Sequence, residues 1–210
     1  MTRQSPSELL VLHAVRLAGF ADTAAAAHRF GTGLAETEEI LGDAEAYGWV
    51  SHASFAGLSG WSLTERGRAE NERQLAAELA ETGAVTEVQQ IHEDFLPLNG
   101  RLLHACTNWQ LRPTPSDPLA VNDHSDPDWD AAVIGELAFL AGALTPLAHR
   151  LEKILNRFSG YDTRFTAAMQ RARDGDGRWV DHTDIDSCHR VWFELHEDLI
   201  ATLGLSREHG

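Results

Sequence analysis

A mainly helical chain with one small β element is the fold class the sequence predicts, and three observations carry it. Apolar residues recur three and four apart over most of the 210 residues, the spacing of one helix face. The period changes to two only around residues 49–63, as a β-hairpin requires. Capping residues, glycines and prolines punctuate the periodic stretches where helices start and stop. The expected organisation is an N-terminal domain over residues 1–73 and a C-terminal helical bundle over residues 74–210.

Each element follows from local chemistry. Ser7 precedes Leu9, Leu10, Leu12, Val15 and Leu17, an apolar face that Gly19 ends, so Ser7 is the expected N-cap. Asp22 opens an alanine-rich helix over residues 23–30, and Gly31-Thr32-Gly33 supplies a tight turn. A third helix over residues 35–47 places Ile40, Leu41, Ala44 and Tyr47 on one side, with Gly48 as its left-handed stop. Trp49-Val50-Ser51-His52 then face Gly60-Trp61-Ser62-Leu63 across a Gly-containing tip. Thr64 caps a polar helix reaching residue 81.

Residues 84–111 read as two helical stretches meeting near Pro97. Residues 112–128 hold Pro113, Pro115, Pro118 and Pro127 without a periodic face, a loop long enough to expect function or mobility. Asp126-Pro127 starts an apolar helix reaching residue 158, with a kink expected at Pro146. A helix over residues 161–173 ends before Gly175-Asp176-Gly177. The last helix runs over residues 186–203, with Gly204 as its stop.

Composition narrows the function classes. Hydrophobic residues make up 43% and charged residues 23% of the chain, which places it among sequences that fold. The net charge is −15, and a field of that sign repels nucleic acid at long range. Any DNA contact must come from a locally less acidic surface, because affinity for DNA rests on neutralising phosphates. Cys106 and Cys188 are the two cysteines, in no CxxC spacing, so reduced thiols are expected. The N-terminus has no basic stretch leading into an apolar one, and the uncharged stretch over residues 137–148 is shorter than a bilayer span. A cytoplasmic protein without a membrane partner is the expectation. GxSxG, P-loop and GxGxxG patterns do not occur, so neither enzymatic chemistry nor a cofactor is expected.

The order helix, helix, turn, helix, hairpin, helix resembles the winged helix-turn-helix domain of MarR-type transcriptional regulators. Its most specific stretch runs from Tyr47-Gly48-Trp49-Val50 through the hairpin to Trp61-Ser62-Leu63-Thr64-Glu65-Arg66-Gly67-Arg68. These match the family's Gly-hydrophobic-Val, wing and Leu-Thr-x-x-Gly-Arg pattern. The resemblance covers about a third of the chain. It implies a DNA-binding regulator, a homodimer, whose third helix enters the major groove while the wing touches the flanking backbone. By position, the contacting residues are Thr32, Leu34, Glu36, Thr37, Glu38, Glu39 and Asp43, with His52, Ser54 and Ser59 on the wing. The chain departs from the family at the third helix, which carries Glu36, Glu38, Glu39, Asp43 and Glu45 and no base. Residues 1–75 hold six arginines against ten acids. A protein interaction module, or a helical enzyme that merely carries a winged helix, therefore stands as the alternative.

The helical domain carries two polar clusters. Trp109, Arg112, Asn122, Asp123, His124 and Asp126 lie on or beside the long loop. Trp179, His182, Asp184, Asp186, Cys188, His189, Trp192 and His196 surround the start of the last helix. One reading makes His189 and His196 boundary histidines, with Asp186 supporting His189 or Arg190. The other brings His189, Trp192 and His196 together with residues 122–124 around a small-molecule effector. Two histidines seven apart lie roughly 10 Å apart along a helix axis, too wide for one ion, so no metal is expected.

Overall fold

The computed structural model describes residues 2–55 and 57–205. It is mainly helical with one two-stranded antiparallel sheet. The chain divides into two compact units, Met1–Val88 with Lys153–Arg157 and Glu197–Gly210, and Gln89–Glu152 with Phe158–His196. The boundary expected at residue 73 falls inside a helix. The first unit instead draws in residues from far along the chain, among them Asp198 and Glu197, which pair with the buried His13 and Arg16.

In the first unit, α1 (Ser7–Ala18), α2 (Thr23–Phe30) and α3 (Leu34–Ala46) pack on one another, followed by β1 (Val50–Phe55), β2 (Leu58–Leu63) and α4 (Glu65–Thr82). Pro6, not Ser7, occupies the N-cap of α1 and makes no side-chain cap. Proline is suited to this end because its missing N–H falls among donors that lack helical partners anyway. The Asp22 carboxylate accepts from Ala25 N at the start of α2, and Gly31 ends it with φ 71°. Val11, Leu12, Val15, Leu41, Ala44 and Val50 form the core between these elements.

The sheet pairs Val50 with Leu63, His52 with Trp61 and Ser54 with Ser59, so the hairpin continues further toward its tip than the alternation around residues 49–52 suggests. Ala21 pairs on the other side with Trp61 through two backbone hydrogen bonds of 3.0 and 2.8 Å. A Cβ at Gly60 would lie 2.8 Å from the Ala21 carbonyl oxygen. Glycine there is what lets the two backbones meet.

A buried polar network lies under this core. His13, on α1, has Nδ1 3.2 Å from Asn71 Oδ1 and Nε2 3.0 Å from Asp198 Oδ1. Arg157 donates to Asp198, to Glu78 Oε2 at 3.0 Å and to Thr202 Oγ1 at 2.7 Å. Arg16 donates to Glu197 and Glu72, each at 2.9 Å. Burial alone would raise the Asp198 carboxyl, but the charges of Arg157 and His13 outweigh it and hold it well below the ordinary value.

Helix α5 (Val85–Gln110), which enters the second unit at Gln89, is one helix containing Pro97, rather than two stretches meeting there. Proline costs an interior hydrogen bond, and the apolar positions on both sides of it supply the compensation, with Ile91, Phe95 and Leu102 all buried. After it come α6 (Pro127–Ile154), a 3-10 turn over Asn156–Phe158 and α7 (Tyr161–Arg173). The short α8 (Arg178–Asp181) and α9 (Cys188–Leu203) follow, α9 passing into the first unit at Glu197. Helix α6 stops short of residue 158, and α9 starts two residues later than expected. By length and composition α6 is apolar enough to cross a membrane, although its uninterrupted apolar stretch is short. Leu137, Leu140, Leu144, Leu147 and Leu151 along it are buried. Trp192 is also buried, stacked on Phe95 with centroids 4.8 Å apart and tilted against Phe165 at 5.3 Å.

Candidate functional site

Two surfaces collect the residues singled out in the sequence, one in each unit. In the first unit, Leu34, Glu36, Glu38, Glu39 and Asp43 are exposed along α3, as is Glu45. None of these five carboxylates takes part in an ion pair among the described residues. Thr37 is a correction. It is fully buried, with its hydroxyl 2.8 Å from that of Thr32, so it braces the turn before α3 and presents nothing to a partner. The helix period explains this, since Thr37 lies four residues before the buried Leu41.

On the hairpin, His52, Ser54 and Ser59 are exposed and joined. Ser59 Oγ lies 2.9 Å from Ser54 Oγ and 3.1 Å from His52 Nε2. The His52 ring also meets Trp61 edge-on at 4.7 Å. These three side chains form a connected polar ridge with no carboxylate among them.

In the second unit the long loop is tied down rather than loose. Leu111 and Val121 bridge, Arg112 N donates to the Ala120 carbonyl at 2.9 Å, and Asn122 N donates to that of Gln110 at 2.8 Å. Asn122 is buried, and its amide nitrogen donates to the Trp109 carbonyl at 3.0 Å and to Asp130 Oδ1 at 2.9 Å. Its amide oxygen accepts from His124 N at 3.1 Å. Arg112 donates to Asp126 at 2.8 Å, while Asp126 accepts from the backbone N–H groups of Asp128 and Trp129 as the cap of α6.

His124 sits at φ 56°, the one described residue other than glycine with positive φ, a conformation that costs energy unless its surroundings enforce it. Its Nδ1 lies 3.0 Å from Asp130 Oδ2, and its ring lies 4.5 Å from that of Trp109. An Nδ1–H donated to the carboxylate leaves Nε2 as an acceptor. Trp109, His124, Asp130, Ile134, Arg178 and His182 line a groove of 540 Å³, in the size range of small-molecule sites. Gly177 is where α8 passes Trp109, since a Cβ there would lie 2.7 Å from the indole.

The structure thus brings Trp109, His124 and His182 together, with Asn122 beneath them. Asp123 is exposed and accepts from Ser125, and Arg112 serves the loop's ion pair. Trp192, His189 and His196 do not line this groove. Trp192 donates from Nε1 to Asn99 Oδ1 at 3.1 Å in the core. His196 stacks near His92 and Phe95 with centroids 6.1 and 5.5 Å away, and His189 lies beside Phe193 at 6.3 Å. The Asp186 carboxylate accepts from Arg164 at 2.8 and 3.0 Å, and the same guanidinium donates to Glu194 at 3.0 and 2.8 Å, bidentate pairings that suit its planar fork.

Arg178 and Asp181 were not singled out. Their signal lay in the residues flanking Trp179. Both cysteines are buried. Burial, with the nearby Asp181 charge, pushes the Cys106 thiol up to about 12, and burial with Cys106 pushes Cys188 higher still, so neither is a thiolate nucleophile near neutral pH. Comparison of the chain with family models, curated proteins and solved structures gives no match.

Proposed function

We propose that the chain is a DNA-binding transcriptional regulator whose first unit is a winged helix of the MarR type and whose second unit carries an effector site. The observation that supports this most is the packing of α1, α2 and α3 around one core, with a paired hairpin directly after α3 and an exposed polar ridge on it. His52, Ser54 and Ser59 bring hydrogen-bonding groups to a phosphate backbone without adding negative charge there. The Trp109, His124 and His182 groove is the effector site, and a homodimer matches a two-fold symmetric operator.

A second reading has its own observation. The five exposed carboxylates on α3 oppose insertion into a major groove and favour a basic protein partner, which makes the first unit a protein interaction module. A gel-shift titration against the promoter region of the protein's own gene separates the two. A discrete shift that weakens as salt rises is the expected result, and no shift at low salt overturns the regulator.

A further inference from the structure

We propose that the first unit binds a lipophilic organic cation in a cavity between α1, α3 and α4, a site separate from the effector groove and independent of whether the unit binds DNA. The cavity has a volume of 490 Å³, enough for a compact aromatic ligand. Its floor is apolar, with Val11, Leu12, Leu41 and Ala44. Its rim is formed by Glu8, Glu36, Glu39 and Asp43, and no lysine or arginine lines it.

Two features favour a cation that is also apolar. The four rim carboxylates are exposed, with no ion pair among the described residues, so their field converges on the cavity mouth unneutralised. Tyr47 and Trp49 also line the cavity and stack on each other with centroids 4.8 Å apart and planes 27° apart, and Tyr47 is 60% exposed. An aromatic face attracts a cation through its quadrupole. A neutral ligand would gain the floor and forgo the rim, and an anion would be repelled by it.

Fluorescence anisotropy with three dyes on the full chain tests this. They are the cation rhodamine 6G, the anion fluorescein on a similar xanthene core, and neutral Nile red. Saturable one-to-one binding of rhodamine 6G is expected, with fluorescein and Nile red at least tenfold weaker. The triple variant Glu36→Gln, Glu39→Gln, Asp43→Asn should weaken rhodamine 6G at least tenfold, and Tyr47→Ala severalfold. All four positions are exposed, so unchanged circular dichroism and melting temperature are expected to accompany both losses. A charge-matched control, Glu93→Gln, Asp128→Asn, Glu152→Gln, removes the same net charge from the second unit and should bind within twofold of wild type. Equal weakening by the control, equal binding of Nile red, or wild-type affinity in the triple variant would each overturn the site.

Discussion

Gly67 shows how a short sequence pattern becomes geometry. A Cβ at this position would lie 1.8 Å from the Trp49 carbonyl oxygen, and that oxygen is fixed by accepting from Thr64 N at 2.9 Å. The Thr64 hydroxyl donates to the Gly48 carbonyl at 2.6 Å and accepts from Gly67 N at 3.0 Å. Leu-Thr-x-x-Gly therefore seats the first turn of α4 directly on the entry to β1. Replacing Gly67 by Ala should cost about 3 kcal/mol, since backbone on both sides must shift. Gly135→Ala, in a helix with nothing within 4 Å of the new methyl group, should stabilise by up to about 1 kcal/mol. Urea unfolding of both variants checks this, and similar effects at the two positions would contradict it. This corner was legible because every group in it lies within about twenty residues and each has one conformational task. Thr37 was misread at the same scale, because a position carried over from a family pattern does not say which side of its own helix is buried.

Among elements, what the sequence concealed is the set of long-range polar contacts. His13 interrupts the apolar face of α1, and Glu194, Glu197 and Asp198 interrupt that of α9, which were the available signals. Their partners are 58 and 185 residues apart in sequence for His13 alone, and no local periodicity points across such distances. The same holds for Asp186, whose near neighbours suggested His189 or Arg190, while it also pairs with Arg164 on α7. The Asp198 network makes a definite pH prediction. Its folded-state carboxyl is held below the ordinary value of about 4, so its contribution is complete above that value and is lost as pH falls through it toward the folded value. Asp198→Asn should cost roughly 3–5 kcal/mol at neutral pH by leaving Arg157 without its closest charge. The variant should also lose stability less steeply than wild type as the pH falls below about 4. Thermal melts between pH 7 and pH 3 measure both effects, and parallel curves for the two proteins would show that Asp198 is not held ionised by its neighbours.

For the whole molecule, the governing tension is between the DNA-binding role proposed above and a charge of −15 that repels DNA. Periodicity and punctuation in the sequence were sufficient for the order of α1 to α4 with the hairpin between, because those depend on neighbours along the chain, but they split α5 at Pro97 and did not announce the short α8. Assignment of residues to units was not legible, since Lys153–Arg157 and Glu197–Gly210 join the first unit and bring it Arg157 and Asp198. The regulator account resolves the tension locally: contact is made by the hairpin ridge, where no acid is present, while the α3 carboxylates stay away from phosphates. The most direct test is the salt dependence of affinity for a duplex from the promoter of the protein's own gene, measured by fluorescence polarisation. The account predicts that log K falls linearly with log salt, and that His52→Ala weakens affinity at fixed salt. Affinity that is absent at low salt, or that does not change with salt, would contradict it.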